Sequence, residues 1–355
     1  MWFQGSERRV PDWLFNGTQT NSDDPLSVPN NTTLPELQLP ESIRQTDIVA
    51  KSTRPKGNRS KLALRIIRRI LRRLDGALDH ADTQTAEGVP ASNGLEDRIA
   101  AFVDSIAVDS AGPAEYLRQH RERICHTLSH VAIGHSSARA LELGSYLQMA
   151  AALEAVLGYP SLRCAYYGEA PASEQNSIRL KSGDSSEFAV DLFDAERHTF
   201  PYESGSLDLI LCCELIEHLV KDPMHMVLEC RRVLREGGTL IITTPNIASL
   251  KSVAQSLFGD ANPQIFSRYN VSGNEPPHVR EYTPHELQRL MTDGGFAVDC
   301  LFTWTERSSE ANGWVLDVLR AQRLPEKFRG EQIFCRATKA EAQPTLRYPG
   351  WLYAQ

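Results

Sequence analysis

Between residues 139 and 337 short apolar runs alternate with segments of helical periodicity, and this alternation restricts the chain more than any other feature. Strand, helix and strand in succession close most readily as a parallel sheet with crossover helices on its faces. Strands are expected at 139–143, 162–167, 188–193, 207–213, 238–243, 296–302 and 331–337. Together they define an α/β fold with a doubly wound, seven-stranded, mostly parallel sheet. Ligands on such sheets bind outside the carboxyl ends of the strands, near the point where strand order reverses. Residues that end strands are therefore the first candidates for a site.

The amino-terminal third has a different character. Residues 1–58 are rich in Pro, Asn, Ser and Thr, lack sustained periodicity and are expected to be a mostly disordered tail. Residues 59–75 are expected to form a basic amphipathic helix: at helical spacing Leu62, Ala63, Ile66, Ile67, Ile70, Leu71 and Leu74 fall on one side, and Arg65, Arg68, Arg69 and Arg72 on the other. Such a helix suits peripheral contact with an anionic membrane, and equally docking on the same protein or a second copy. A small, polar linker over 76–94 and a helical lead-in over 95–134 precede the first strand, and 341–355 form a carboxyl-terminal tail.

Charge and composition exclude several classes. Residues 1–100 hold 14 Lys+Arg against 13 Asp+Glu, while 101–355 hold 24 against 32, which argues against a broad nucleic-acid-binding face. No apolar run approaches the roughly 18 to 20 residues of a membrane-spanning helix. The opening MWFQGSERRVPDW lacks the apolar core of a secretory leader. Seven cysteines without a CxxC pair point to a reducing cytoplasm rather than a disulfide frame or zinc cage. A cytoplasmic protein is expected, peripheral at the inner face of the membrane if the basic helix binds there.

The strand ends carry an ordered set of polar residues. Ala140-Leu-Glu142-Leu-Gly144-Ser145-Tyr146 leads into an apolar helical stretch, a pattern that suits a nucleoside with a cationic amino-acid moiety or, more simply, a tight strand-to-helix turn. Glu169 follows the second strand, 27 residues after Glu142, where a carboxylate can accept both ribose hydroxyls. Asp194 ends the third strand, placed to accept from an adenine amino group. Beyond the fourth strand stand Glu214-Leu-Ile-Glu217-His218, and after the fifth Thr243-Thr-Pro245-Asn246.

Taken together these residues resemble the class I S-adenosylmethionine-dependent methyltransferases, and the segments DAE, FPY, SLDLILCCELIEHL and RRVLREGGTLIITTPN resemble their UbiE/UbiG-like small-molecule branch. The resemblance covers about 135–338 and implies a Rossmann-like methyltransferase domain at 135–340. It also implies S-adenosyl-L-methionine as cofactor, with Glu142, Gly144, Ser145, Tyr146, Glu169, Asp194, Ala195, Cys213 and Glu214 binding it. His278-Val-Arg280-Glu-Tyr282 and RYPGWLY at 347–353 are similar to a subgroup found with surface-polysaccharide biosynthesis. In the quinone O-methyltransferases that ExxEH resembles, the motif can hold a divalent ion, for which Glu214, Glu217 and His218 are suitable ligands.

One departure stands out. Tyr146 and Gln148 occupy positions where the family's turn has further glycines, so the methionine moiety meets a modified turn or the site is lost. For a hydroxyl acceptor a base is needed, and His218 and His278 are the candidates, each of which could instead serve a structural hydrogen bond. The implied activity is methyl transfer to a hydroxyl of a sugar or glycan precursor. The alternatives are a small aromatic or quinone hydroxyl, and a catalytically silent cofactor-binding scaffold. Thr283-Pro284-His285-Glu286 reads as a helix capping box, and Gly237-Gly238 as a helix stop rather than a phosphate loop.

Overall fold

The computed structural model describes residues 94–107, 111–258, 278–305 and 313–354. The expected tail (1–58), the amphipathic helix (59–75) and nearly all of the linker (76–94) lie outside them. Eight strands form one sheet: β1 (Arg139–Leu143), β2 (Ser161–Tyr166), β3 (Ala172–Arg179), β4 (Ser185–Leu192), β5 (Leu207–Cys213), β6 (Leu234–Pro245), β7 (Phe296–Trp304) and β8 (Gln332–Lys339). Their spatial order is β3-β4-β2-β1-β5-β6-β8-β7.

All seven expected strands are present, and the count is corrected by β3. This strand, ASEQNSIR, runs antiparallel to β4 along its whole length, from Ala172 opposite Leu192 to Arg179 opposite Ser185. Only Ile178 of its side chains is buried. An edge strand that buries one residue has no apolar run to betray it. The five central strands, β4-β2-β1-β5-β6, are mutually parallel, whereas β3, β8 and β7 pair antiparallel at the two flanks.

The period of two along the central strands supplies both faces with apolar side chains. Leu209, Leu211 and Ile241 pack with Ile99 of α1 (Leu95–Ser105), Leu128 of α2 (Ala111–Ser129) and Leu153 of α3 (Gln148–Ala155). Their neighbours Ile210, Cys212, Leu240 and Ile242 pack on the opposite face with Met224 and Val227 of α4 (Pro223–Val233) and with Leu287 and Leu290 of α6 (Pro284–Asp293). Each such leucine or isoleucine contributes roughly 1.5 to 3 kcal/mol by leaving water. A smaller group joins Ala254 of α5 (Leu250–Phe258) to Val315 and Leu319 of α7 (Gly313–Gln322).

The chain passes from β1 to β2 and β4 on one flank, then returns to place β5 on the other side of β1. The carboxyl ends of β1 and β5 are therefore where the order reverses. Two local devices hold the framework there. The expected capping box forms: Glu286 N–H donates to Thr283 Oγ1 (3.2 Å), and Thr283 N–H donates to Glu286 Oε2 (3.0 Å), with Pro284 in the first turn. At the start of α4, Asp222 caps the helix by accepting from His225 N–H (3.1 Å). A strap over 347–353 grips the same carboxylate through Arg347 and the Tyr353 hydroxyl, while Trp351 Nε1 donates to Asp293 (2.8 Å). Among the described residues no helix is long and apolar enough to cross a membrane.

Candidate functional site

At the end of β1 the turn is held from within. Gly144 adopts a left-handed φ of 69°, which glycine accepts without strain, and Leu147 repeats that φ just before α3 begins. Between them Ser145 is buried, donates its hydroxyl to Glu142 Oε2 (2.7 Å) and accepts from Leu147 N–H (3.0 Å). Glu142 Oε2 also accepts from Ala150 N–H (3.0 Å) in the first turn of α3. Burial pushes the Glu142 carboxyl up to about 7. Tyr146 turns its ring to Tyr116 of α2 (centroids 5.1 Å apart) and to Tyr166 at the end of β2 (5.9 Å), so an aromatic row stands where further glycines would leave open backbone.

The next two strand ends are more open. Glu169 is exposed beyond β2. Asp194, just past β4, is half-buried; its Oδ1 accepts from Glu196 N–H (2.9 Å), and its carbonyl closes the same turn on His198 N–H (2.9 Å). Ala195 packs against the apolar core beside it. Cys213 ends β5 with its thiol pushed up to about 12 by burial, which keeps it protonated and unreactive. Glu214 then takes a left-handed φ of 51° that costs a non-glycine residue about 1 kcal/mol or more. Its N–H is held by the Thr243 carbonyl (2.9 Å), Oε1 accepts from the Thr243 hydroxyl (2.9 Å), and Oε2 accepts from Arg123 of α2 (2.8 Å).

A second cluster lies immediately beyond, where a 3-10 turn (Ile216–His218) follows β5. The Glu217 carbonyl accepts from Val279 N–H (2.7 Å) and Arg280 N–H (3.2 Å), which brings the two expected histidines side by side with ring centroids 4.9 Å apart. The side chain of Glu217 is fully buried. Its Oε2 accepts from Thr244 (2.8 Å), whereas Oε1 has no hydrogen-bond partner among the described residues. Desolvation and the nearby Glu214 charge raise its pKa well above the usual carboxylate range. The Nε2 atoms of His218 and His278 lie 3.9 Å and 4.0 Å from that Oε1.

His278 Nδ1 stands 3.2 Å from Glu281 Oε1. A carboxylate oxygen accepts, so in the neutral ring this contact favours the tautomer with the proton on Nδ1 and the lone pair of Nε2 toward Glu217 and His218. Glu196 steadies the segment after His218 by accepting from the N–H groups of Val220 (2.9 Å), Lys221 (2.6 Å) and Asp222 (2.6 Å).

Ligand atoms of Glu217, His218 and His278 all lie within 4.8 Å of one another. The structure thus gathers His278 with Glu217 and His218, while both carboxylate oxygens of Glu214 are taken by Thr243 and Arg123. Two participants escape the sequence analysis. Glu281 could have been found from its place three residues after His278; Arg123 lies 91 residues before its partner on a lead-in helix, and no spacing announces it.

Residues 162–242 match a protein family described as "Methyltransferase domain". A probable S-adenosylmethionine-dependent methyltransferase of Mycobacterium tuberculosis is 32% identical over 107 residues, covering 30% of this chain and 33% of that protein. A ubiquinone biosynthesis O-methyltransferase of Methylococcus capsulatus is 32% identical over 93 residues, 26% of this chain and 37% of its own length. An uncharacterized protein of a Streptomyces fradiae transposon is 30% identical over 164 residues, 46% of this chain and 43% of that one. The chain therefore spans less than half the length of these curated relatives. Among solved structures, a SAM-dependent methyltransferase from Archaeoglobus fulgidus aligns with a TM-score of 0.42 at 15% identity, over 63% of this chain and 99% of that one. Residues 162–242 are thus similar to methyltransferase domains, and the cofactor that this similarity implies is S-adenosylmethionine.

Proposed function

We propose that this protein is an S-adenosylmethionine-dependent O-methyltransferase whose acceptor is a hydroxyl of a sugar or glycan precursor. The observation that carries the methyl-to-oxygen reading is the pairing of His278 with Glu281 beside His218, immediately past the end of β5. When bound, the cofactor supplies an electrophilic methyl group on a sulfonium. The residues present suit it: two left-handed positions at Gly144 and Leu147 shape the turn, and Glu169 and Asp194 follow on the next strand ends for the ribose and the adenine edge. His278 Nε2 would take the acceptor proton while Glu281 holds the ring and balances the imidazolium. A positioned base of this kind contributes roughly 100- to 10,000-fold.

The similarity to ubiquinone biosynthesis O-methyltransferases favours a second acceptor class, a small aromatic or quinone hydroxyl. The orphaned Glu217 Oε1 favours a second use of the same cluster, a divalent cation held by Glu217, His218 and His278 that would orient the acceptor oxygen. Peripheral attachment through residues 59–75 belongs to the same proposal.

Calorimetry with S-adenosylhomocysteine is the first test. The wild type binds it, and Asp194→Ala weakens binding by roughly 1.5 to 3 kcal/mol through loss of a charge-assisted hydrogen bond. His278→Ala binds it as tightly as wild type but loses methyl transfer across a panel of sugar and phenolic acceptors. Absence of binding by the wild type refutes the assignment; full turnover by both His278→Ala and His218→Ala refutes the base. Calorimetric titration with Mn2+, present in wild type and absent in Glu217→Gln, decides for the cation.

A further inference from the structure

Where the chain turns from α7 into β8 it forms a tight loop around one cation. Phe328 takes a left-handed φ of 60°, a conformation that a non-glycine residue adopts only under restraint. Gly330 is pressed against the end of β7 so closely that a Cβ would collide with the backbone of Trp304. Asn246, buried just past the end of β6, donates its side-chain amide to the carbonyls of Phe328 (3.0 Å) and Gly330 (2.7 Å), on either side of Arg329. The Arg329 carbonyl accepts in turn from Leu250 N–H (3.1 Å) at the start of α5. These restraints converge on Arg329.

The guanidinium itself has no counter-charge. Its Nε and Nη2 donate to the Pro325 carbonyl (3.3 and 3.0 Å) and its Nη1 to the Ala248 carbonyl (3.0 Å), so its bonds go to neutral backbone oxygens and N–H groups remain uncommitted. Arg163, Arg232 and Arg347 each meet a carboxylate, whereas Arg329 meets none among the described residues. Partial burial without an opposite charge holds its pKa below the usual arginine value. Desolvation is thus left with no ionic attraction to offset it. An arriving anion would supply that attraction, and the planar fork of arginine matches the oxygens of a phosphate or a carboxylate.

The loop belongs to the same edge of the sheet as the histidine pair. Thr244, two residues before Asn246, holds the Glu217 carboxylate that faces His218 and His278. Asn246 pairs through its backbone with Tyr282, four residues after His278, and the Phe328 ring stands edge-on to His285 in the first turn of α6 (centroids 5.5 Å apart). Resting on the functional reading above, we propose that Arg329 sets acceptor specificity by holding an anionic oxygen group, a phosphate or a carboxylate, on the molecule whose hydroxyl meets the histidines. A neutral sugar or a plain phenol leaves Arg329 uncompensated. A glycan precursor that bears phosphate or a sugar acid answers both the base and the cation.

The test is calorimetry on the full chain saturated with S-adenosylhomocysteine, at constant ionic strength, with inorganic phosphate and acetate as probes. The wild type should bind at least one of them, and Arg329→Gln should weaken that binding by roughly 10-fold or more, as expected for loss of a charge-assisted contact. Arg329→Lys should keep part of the affinity. Phosphate ahead of acetate marks a phosphorylated acceptor, and the reverse order a carboxylated one. Because Arg329→Gln also removes bonds to Pro325 and Ala248, a second measurement uses the unaltered protein. Phenylglyoxal should modify Arg329 ahead of the paired Arg163 and Arg347, with mass spectrometry locating the adducts, and the preferred anion should slow that modification where chloride at equal ionic strength does not. Anion affinity unchanged in Arg329→Gln, or Arg329 reactivity unchanged by both anions, overturns this inference and leaves the functional reading standing. No binding of S-adenosylhomocysteine by the wild type overturns that reading, and the acceptor role of Arg329 with it, even where an anion still protects the side chain.

Discussion

Along the carboxyl edge of the sheet, the β1 turn and the segment after β5 both contain a buried glutamate, and the two are treated differently. Glu142 sits under the first turn of α3 with one oxygen accepting from Ser145 and Ala150. Glu217 keeps one oxygen on Thr244 and leaves the other facing two imidazoles at 3.9 and 4.0 Å, too far for hydrogen bonds. Burial raises the pKa of both. A carboxylate whose bonds are local shapes backbone; one with an orphaned oxygen among potential ligands calls for an explanation, and the proposed function supplies one in an incoming ligand. The same residue type thus has its bonds closed within one turn in one place and one oxygen left open in the other, and under the proposed function that difference separates scaffold from chemistry.

The largest expected effect tests the scaffold side. Glu142 has a folded pKa of about 7 against 4.5 for the free group. The folded state therefore binds the proton more tightly. This contribution to stability is fully present below pH 4.5 and is lost as pH rises through about 7, by roughly 3 kcal/mol. Glu142→Gln keeps an acceptor for Ser145 and Ala150 but cannot ionise, so its denaturant midpoint should change less than that of wild type between pH 5 and 8. Parallel curves for the two proteins would place Glu142 in a far more polar setting than its burial indicates.

The next effect tests the chemical side. Glu281→Gln keeps the size of the side chain but loses the charge that fixes the His278 tautomer. Turnover should fall about 10- to 100-fold while S-adenosylhomocysteine binding and thermal midpoint stay as in wild type. An equal fall in stability would return Glu281 to the scaffold. The smallest effect calibrates both: Thr283→Ala removes one half of a capping box whose Glu286 also pairs with Arg280, close to the cluster, and should cost about 1 kcal/mol in chemical denaturation. A loss of turnover larger than that of Glu281→Gln would show that the segment 278–282 depends on α6 for its position.

How much of this was legible beforehand follows the reach of each interaction. Strands that bury both faces announce themselves as apolar runs, and all of these appeared; β3, whose only buried side chain is Ile178, did not. The capping box was readable because Thr283 and Glu286 are three residues apart. His218 and His278 were picked individually, but their meeting depends on backbone bonds from 279 and 280 to the Glu217 carbonyl, which no local pattern encodes. Arg123 was invisible for the same reason on a larger scale, because its role exists only once α2 lies against the end of β5.

The strap over 347–353 gives the molecule an order of assembly. Asp222 begins α4 and ends the segment that follows His218, yet the groups that grip it, Arg347 and Tyr353, are 125 and 131 residues further along. On the ribosome the strands β1 to β6 emerge first and can begin to pair. β8, which lies between β6 and β7 in the sheet, must then be inserted, and the strap closes over α4 and α6 only afterwards. A chain that ended before residue 347 would therefore lack the contacts that hold Asp222 at the start of α4.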